Sequence, residues 1–178
     1  QKPTQLQENT NTPAQAKPPA DQNSILVFTG AWGGEKDVIL LLLNYYNDIH
    51  EYVYNHLLDD DFLNPEFRDL FSMIKSHEKK SPNDLLHFVL EHTESEGIRS
   101  LILREMEYTN REFKKPALYL QGCIKQIKIA RYQAKIDVAK RKLKELSPRD
   151  EGYVPALKEM QEAMETLKQW QSVNPKEE

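Results

Sequence analysis

Cysteine is almost missing from this chain: Cys123 is the single thiol in 178 residues. One thiol excludes an intrachain disulfide and any multi-cysteine zinc site, and points to a reducing, cytoplasmic compartment. Long apolar runs are missing too. The longest, Val38–Leu43, has six residues, whereas a bilayer span needs about 20; no membrane association is expected. The N-terminus has no apolar segment of the kind a secretory signal carries, and an opening Gln1 rather than Met marks a fragment or processed chain. Glycine is scarce, six in all, and three of these stand together at positions 30, 33 and 34. Few turns are therefore expected after residue 34.

Charge is plentiful but unevenly spread. Residues 1–110 carry 9 basic and 18 acidic groups, residues 111–149 carry 12 and 3, and residues 150–178 carry 3 and 7. The overall net charge of −4 thus conceals one strongly basic segment between two acidic ones.

Residues 1–34 read as a Pro/Gln-rich linker ending in an extended arm. Pro3, Pro13, Pro18 and Pro19 stand among Gln, Asn and Thr, too polar to offset their ordering entropy. Ser24–Thr29 is the only β-like stretch, with Phe28 and Trp32 as its contacts to the domain. From residue 35 the periodicity is helical. Residues 35–46 are apolar on nearly every side, as a central bundle helix is, and residues 48–58 form a second, shorter helix through Ile49, Tyr52, Val53 and His56. Asn64-Pro65-Glu66 and Ser81-Pro82-Asn83-Asp84 are helix starts: a capping side chain, then proline, then an acid. The first opens a stripe of Phe67, Leu70, Phe71 and Ile74; the second a stripe of Leu85, Phe88, Val89 and His92. A further helix covers 96–108.

Pro116 then opens a helix that meets no breaker before Pro148 apart from an isolated Gly122. Its first apolar stripe is Ala117, Leu120, Ile124 and Ile127; its second is Ile129, Tyr132, Ile136, Ala139, Leu143 and Leu146. The buried face rotates near 128–131, so one helix serves two cores. A turn at Ser147–Gly152 leads to a last helix over 154–172, with Leu157, Met160, Ala163, Met164, Leu167 and Trp170 on or beside its stripe. The expected fold is all-α: a helical bundle over 35–127 and a protruding C-terminal helical hairpin over 128–178, sharing one long helix.

Chemistry is thinly represented. No two of the five histidines are four residues apart, as paired metal ligands on a helix would be. Asp59-Asp60-Asp61 lacks the alternating ligands of a calcium loop and reads as a solvated loop before the next helix. Cys123 lies on an apolar stripe. Gly30–Gly34 lacks the Lys-Ser/Thr of a phosphate loop. No cofactor, no metal and no active site are expected. The basic run Lys125, Lys128, Arg131, Lys135, Lys140, Arg141, Lys142 and Lys144 remains. It can contact phosphates, dock on an acidic protein surface, or simply be solvated; with Tyr132 as its sole aromatic, direct nucleic-acid binding is expected to be weak or absent.

The segments Glu35–Leu43 (EKDVILLLL), Leu58–Phe62 (LDDDF), Phe67–Ile74 (FRDLFSMI) and Tyr119–Ile127 (YLQGCIKQI), followed by the basic helix, resemble in order and pattern the C-terminal helicase-binding domain of bacterial replicative DNA primase. The resemblance covers about residues 35–172. It implies a non-catalytic piece of an RNA-primer-synthesising enzyme, without its zinc-binding and polymerase domains. It implies docking on the N-terminal domains of the hexameric replicative helicase at the bacterial replisome, and in some members reception of the acidic C-terminal tail of single-strand-binding protein. From position and expected exposure, Arg141, Lys142 and Lys144 are the electrostatic candidates, and Met164, Lys168, Trp170 and Gln171 the terminal ones, with Trp170 as an exposed anchor. Two other readings stand beside this one: the N-terminal collar domain of the helicase itself, which has a similar fold, and a nucleic-acid-binding domain using the 125–144 stripe.

Overall fold

A computed structural model describes residues 31–77, 81–108 and 115–175. The expectations for the linker, for the β-like Ser24–Thr29 and for Phe28 lie outside these residues. Among the described residues the fold is all-α, with no strand. Helices α1 (Ala31–His56), α2 (Pro65–Ser76), α3 (Pro82–His92), α4 (Glu96–Tyr108), α5 (Pro116–Glu145) and α6 (Tyr153–Ser172) follow one another, with a 3₁₀ turn at Asp59–Asp61.

Helix α1 begins earlier than its glycines suggest. Residues 31–34 are its first turn, not an extended arm. The physical reason is a close crossing with α5: a Cβ on Gly34 would lie 3.2 Å from the Cys123 carbonyl oxygen and 3.2 Å from Gln126 Oε1. Glycine serves here for approach rather than as a breaker. The two helices expected over 35–46 and 48–58 are both present, meeting within α1 at a kink where Tyr45 has non-helical φ −128°, ψ 30°. Immediately before the break, Asn44 Nδ2 donates to the carbonyl of Leu40, one turn earlier, at 2.8 Å, competing with the backbone for that acceptor.

All six residues of Val38–Leu43 are buried. All but Leu40 form the middle of a core that gathers Ile49, Val53, Leu57, Phe62, the α2 stripe Phe67, Leu70, Phe71 and Ile74, Leu85 and Val89 of α3, Ile98, Leu101 and Ile102 of α4, and Leu120, Cys123, Ile124 and Ile127 of α5. Each such large side chain contributes on the order of 1.5–3 kcal/mol of burial. Ala117 is exposed and does not share the first α5 stripe. His92 is likewise exposed: its Nδ1 lies 2.8 Å from the Phe88 carbonyl and its ring rests on Phe88.

Both capping motifs form. Asn64 Oδ1 accepts from the Glu66 and Phe67 amides at 2.8 and 3.4 Å. Ser81 Oγ accepts from the Asp84 amide at 3.2 Å and donates to the Asp84 carboxylate at 2.7 Å. The loop before α2 is held by a buried carboxylate: Glu35 accepts from the Leu63 amide at 2.7 Å and the Asn64 amide at 3.1 Å. Asp59–Asp61 is not a solvated loop. Asp59 accepts from Ser72 Oγ at 2.6 Å and pairs with Lys75 at 3.5 Å. Asp61 is buried, taking the Leu58 amide at 2.8 Å and Lys128 Nζ at 2.5 Å. These carboxylates serve different partners and do not converge on one point.

Helix α5 is unbroken through 30 residues, about 45 Å long. It runs antiparallel to α1, as the approaches of Gly34 to Cys123 and of Asp37 to Tyr119 show. Beyond Lys128 its buried face turns away from α1 and toward α6; the buried residues there are Ile136 and Ala139 of α5 and Ala156 and Ala163 of α6. The pairs Lys142–Glu159 and Lys125–Gln171 make α5 and α6 antiparallel.

Candidate partner-docking surface

The fully buried residues of the seam between α5 and α6 are mostly small, Ile136 being the large one. Ala139, Ala156 and Ala163 are buried, while Tyr132, Leu143, Leu157, Met160 and Leu167 are half-buried around them. Small side chains bring the helix backbones close but bury little area each, so the seam needs support at its root. Lys125 Nζ supplies one support, donating to the Gln171 and Val173 carbonyls at 3.1 and 2.6 Å. These are orphan acceptors at a helix C-terminus, where a cation is favoured. Trp170 supplies the other. It packs against the bundle core, and Lys128 Nζ lies 6.0 Å from its ring centroid. Trp170 is therefore a root contact and not the exposed anchor expected of it.

The basic run does not form one stripe. Lys125 and Lys128 are structural, the latter with only 12% of its side chain exposed. Lys135 Nζ lies over the half-buried Tyr132 ring at 5.2 Å. Lys142 is exposed but pairs with Glu159 at 3.2 Å. Arg141 is exposed, and its Nε donates to the Asp137 carbonyl one turn earlier at 3.4 Å. Lys140 and Lys144 are exposed, Lys140 lying 4.0 Å from Asp137.

At about 100° per residue these side chains separate by flank. The Lys142–Glu159 pair and the Lys128–Trp170 contact mark one flank of the hairpin. That flank holds charges of both signs, with Arg131 and Lys135 from α5 and Glu162 from α6. On the opposite flank lie Lys140 and Lys144 of α5 and Leu157, Met164, Lys168 and Gln171 of α6, while Val154, half a turn round from the buried Ala156 and Ala163, stands on the outer side of α6. Four of the seven expected residues, Lys144, Met164, Lys168 and Gln171, thus share one face. Lys142 lies on the other flank, Arg141 on the outer side of α5, and Trp170 inside. The shared face carries an exposed apolar residue, Met164, 40% exposed; Val154, 68% exposed, was not singled out from the sequence and lies on the outer side of α6.

Cys123 is buried, and burial pushes its thiol up to about 12, helped by the nearby Asp37 carboxylate. It is a core residue without a thiolate at neutral pH. Among the described residues no three His, Cys, Asp or Glu side chains are placed to hold a metal ion, and no helix is long and apolar enough to cross a membrane.

No family model, curated protein or solved structure matches this chain.

Proposed function

We propose that this chain is a non-catalytic recruitment module, the C-terminal helicase-binding domain of a bacterial DNA primase. Its hairpin docks on the N-terminal domains of the hexameric replicative helicase and so couples RNA-primer synthesis to fork unwinding in the cytoplasm. The observation that carries this reading is the single unbroken α5, packed on the bundle by its first half and on α6 by its second. A lone helical hairpin buries too little to be stable by itself. Continuity of α5 and the Lys125 and Trp170 contacts hold this one in place, and its basic-and-apolar flank stays uncovered.

That flank suits an acidic protein surface with an apolar centre. Interface energy concentrates in a few desolvated anchors, and rim charges govern the association rate. Met164 is the anchor here; Lys140, Lys144 and Lys168 are the rim. The proposal is tested by titrating the chain against purified replicative helicase. Met164→Asp is expected to weaken binding tenfold or more with an unchanged melting temperature. Lys144→Glu with Lys168→Glu is expected to slow association and reduce its salt dependence. Wild-type affinity in both variants, or no binding by the wild-type chain, overturns the reading.

A further inference from the structure

The face of α5 that α1 covers does not end where α1 begins. Asp37 meets Tyr119, and one turn earlier Gly34 meets Cys123 and Gln126. By the same antiparallel step the start of α1 at Ala31 falls beside about residues 127–130 of α5. Past that level the same side of α5 continues. At about 100° per residue, Ala130, Ala134 and Arg141 lie within about 20° of Cys123 around the helix, and Val138 within about 60°. The other neighbours of α5 stand elsewhere: Ile136 and Ala139, buried toward α6, and Lys128, paired with the 3₁₀ turn, lie about 140–160° from Cys123. On the continued face Ala130 and Ala134 are half-buried, and Val138 is left 40% exposed.

The chain carries a cover for it. Ile25-Leu26-Val27-Phe28 are four consecutive apolar residues immediately before α1, in a stretch with no charge between Asp21 and Glu35. They stand three to six residues before Ala31, within about 10–20 Å of it as extended chain. Ala130 to Val138 spans about 12 Å of helix, so the segment reaches the whole face. Alternation in an extended chain puts Leu26 and Phe28 on one side.

We propose that Ile25–Phe28 docks in cis along this face, Leu26 and Phe28 over Ala134 and Val138. The contact continues the α1–α5 interface beyond the end of α1. It braces the hairpin on the side away from α6, where α5 leaves the bundle. It does not depend on the recruitment reading, because it is measured on the chain alone.

Paramagnetic broadening in nuclear magnetic resonance tests it. Cys123 is buried, so a nitroxide can be placed selectively on Ser24→Cys of the whole chain. The nitroxide is expected to broaden the amide signals of 134–141 severalfold more than those of 156–163 on α6. Leu26→Asp with Phe28→Asp, and separately Val138→Asp, are each expected to abolish that preference with the helical circular dichroism unchanged. Val154→Asp, on the outer side of α6, is expected to leave it as it was. A nitroxide-bearing chain mixed with an isotope-labelled chain lacking the nitroxide separates cis from trans, and no broadening of 134–141 is expected there. Broadening in that mixture would make a second copy the occupant and overturns the proposal. So does broadening of 134–141 that survives either the Leu26/Phe28 or the Val138 change, or an unmodified segment that shows no preference for 134–141.

Discussion

Lys128 Nζ lies 2.5 Å from Asp61 Oδ2, joining α5 to the 3₁₀ turn at the point where α5 passes from the bundle to α6. Both side chains are nearly buried, 12% and 10% exposed. Removing one partner of such a pair strands the other charge, at a typical cost of about 3–5 kcal/mol. Lys128→Met is expected to lose about 2–4 kcal/mol, somewhat relieved because Asp61 keeps the Leu58 amide. Adding Asp61→Asn should recover part of the loss. Chemical denaturation of the two variants checks this, and the fluorescence of Trp170, which Lys128 also faces, should shift in both.

Glu35 gives the fold a pH dependence of known sign. Burial raises its carboxyl above the ordinary 4.5, against the opposing pull of the Leu63 and Asn64 amides and Arg68. The unfolded chain releases this proton near 4.5 and the folded chain only at higher pH. The contribution is therefore complete below 4.5 and is lost as pH rises through the folded value. Glu35→Gln is expected to flatten stability against pH in that window. Asp59 acts oppositely: the Ser72 hydroxyl, with Lys75, lowers its carboxyl below 3.8, so its contribution is lost as pH falls through the folded value. Melting curves of the Glu35→Gln variant from pH 4 upward separate the two. Glu35→Ala, which strands two buried amides, should cost about 2–4 kcal/mol.

Much of this architecture was legible in the residues because local rules govern it. Asn64-Pro65 and Ser81-Pro82 start helices through side chains that reach only two or three residues ahead. The rotation of the α5 stripe near residue 128 was readable because a 3.6-residue period leaves no other way to bury both Ile127 and Ile136. Tertiary pairing was not readable. Lys125 and Lys128 carry the same letter as Lys140 and Lys144; only the approach of α6 and the 3₁₀ turn makes the first two structural. Trp170 was misjudged for the same reason, because its neighbour is the bundle core rather than a residue nearby in sequence. Gly33-Gly34 read as a breaker because glycine's cost to a helix is local, whereas the closeness of α5 that favours Gly34 is not.

Gly34 in α1 and Gly122 in α5 make a paired test. Gly122 has nothing within 4 Å of where a Cβ would stand. Gly122→Ala should therefore stabilise by about 0.5–1 kcal/mol, the helix-propensity difference. Gly34→Ala gains the same propensity but meets the Cys123 carbonyl at 3.2 Å, and that carbonyl belongs to a helix that cannot easily shift. It is expected to lower the melting temperature. Thermal unfolding of both variants decides: equal stabilisation would show that the α1–α5 crossing is looser than 3.2 Å implies.

Cys123 should resist thiol reagents in the folded chain. With the thiol pushed up to about 12, the reactive thiolate is scarce at neutral pH, and the side chain is buried against the core. Labelling is expected to proceed only at the rate of opening, and to become fast in denaturant. Rapid labelling under native conditions would mean that α5 separates from α1 far more often than a core helix does.

Lys125 separates the stability of the hairpin end from that of the bundle. Its ammonium holds the Gln171 and Val173 carbonyls, the last acceptors of α6, and is exposed to solvent. Lys125→Met keeps the apolar stem and removes the cap. Exposed charge–carbonyl contacts are each weak, so the global melting temperature should fall by no more than a few degrees. The local effect is larger, because the fully buried residues of α6 are alanines and its last turn is held by Lys125 and Trp170 alone of the contacts described above. Hydrogen exchange of the amides at 169–173 is expected to accelerate severalfold while exchange in α1 and α2 stays unchanged. Uniform acceleration in every helix would instead make hairpin and bundle one cooperative unit, and the proposed docking face would then be only as rigid as the whole fold.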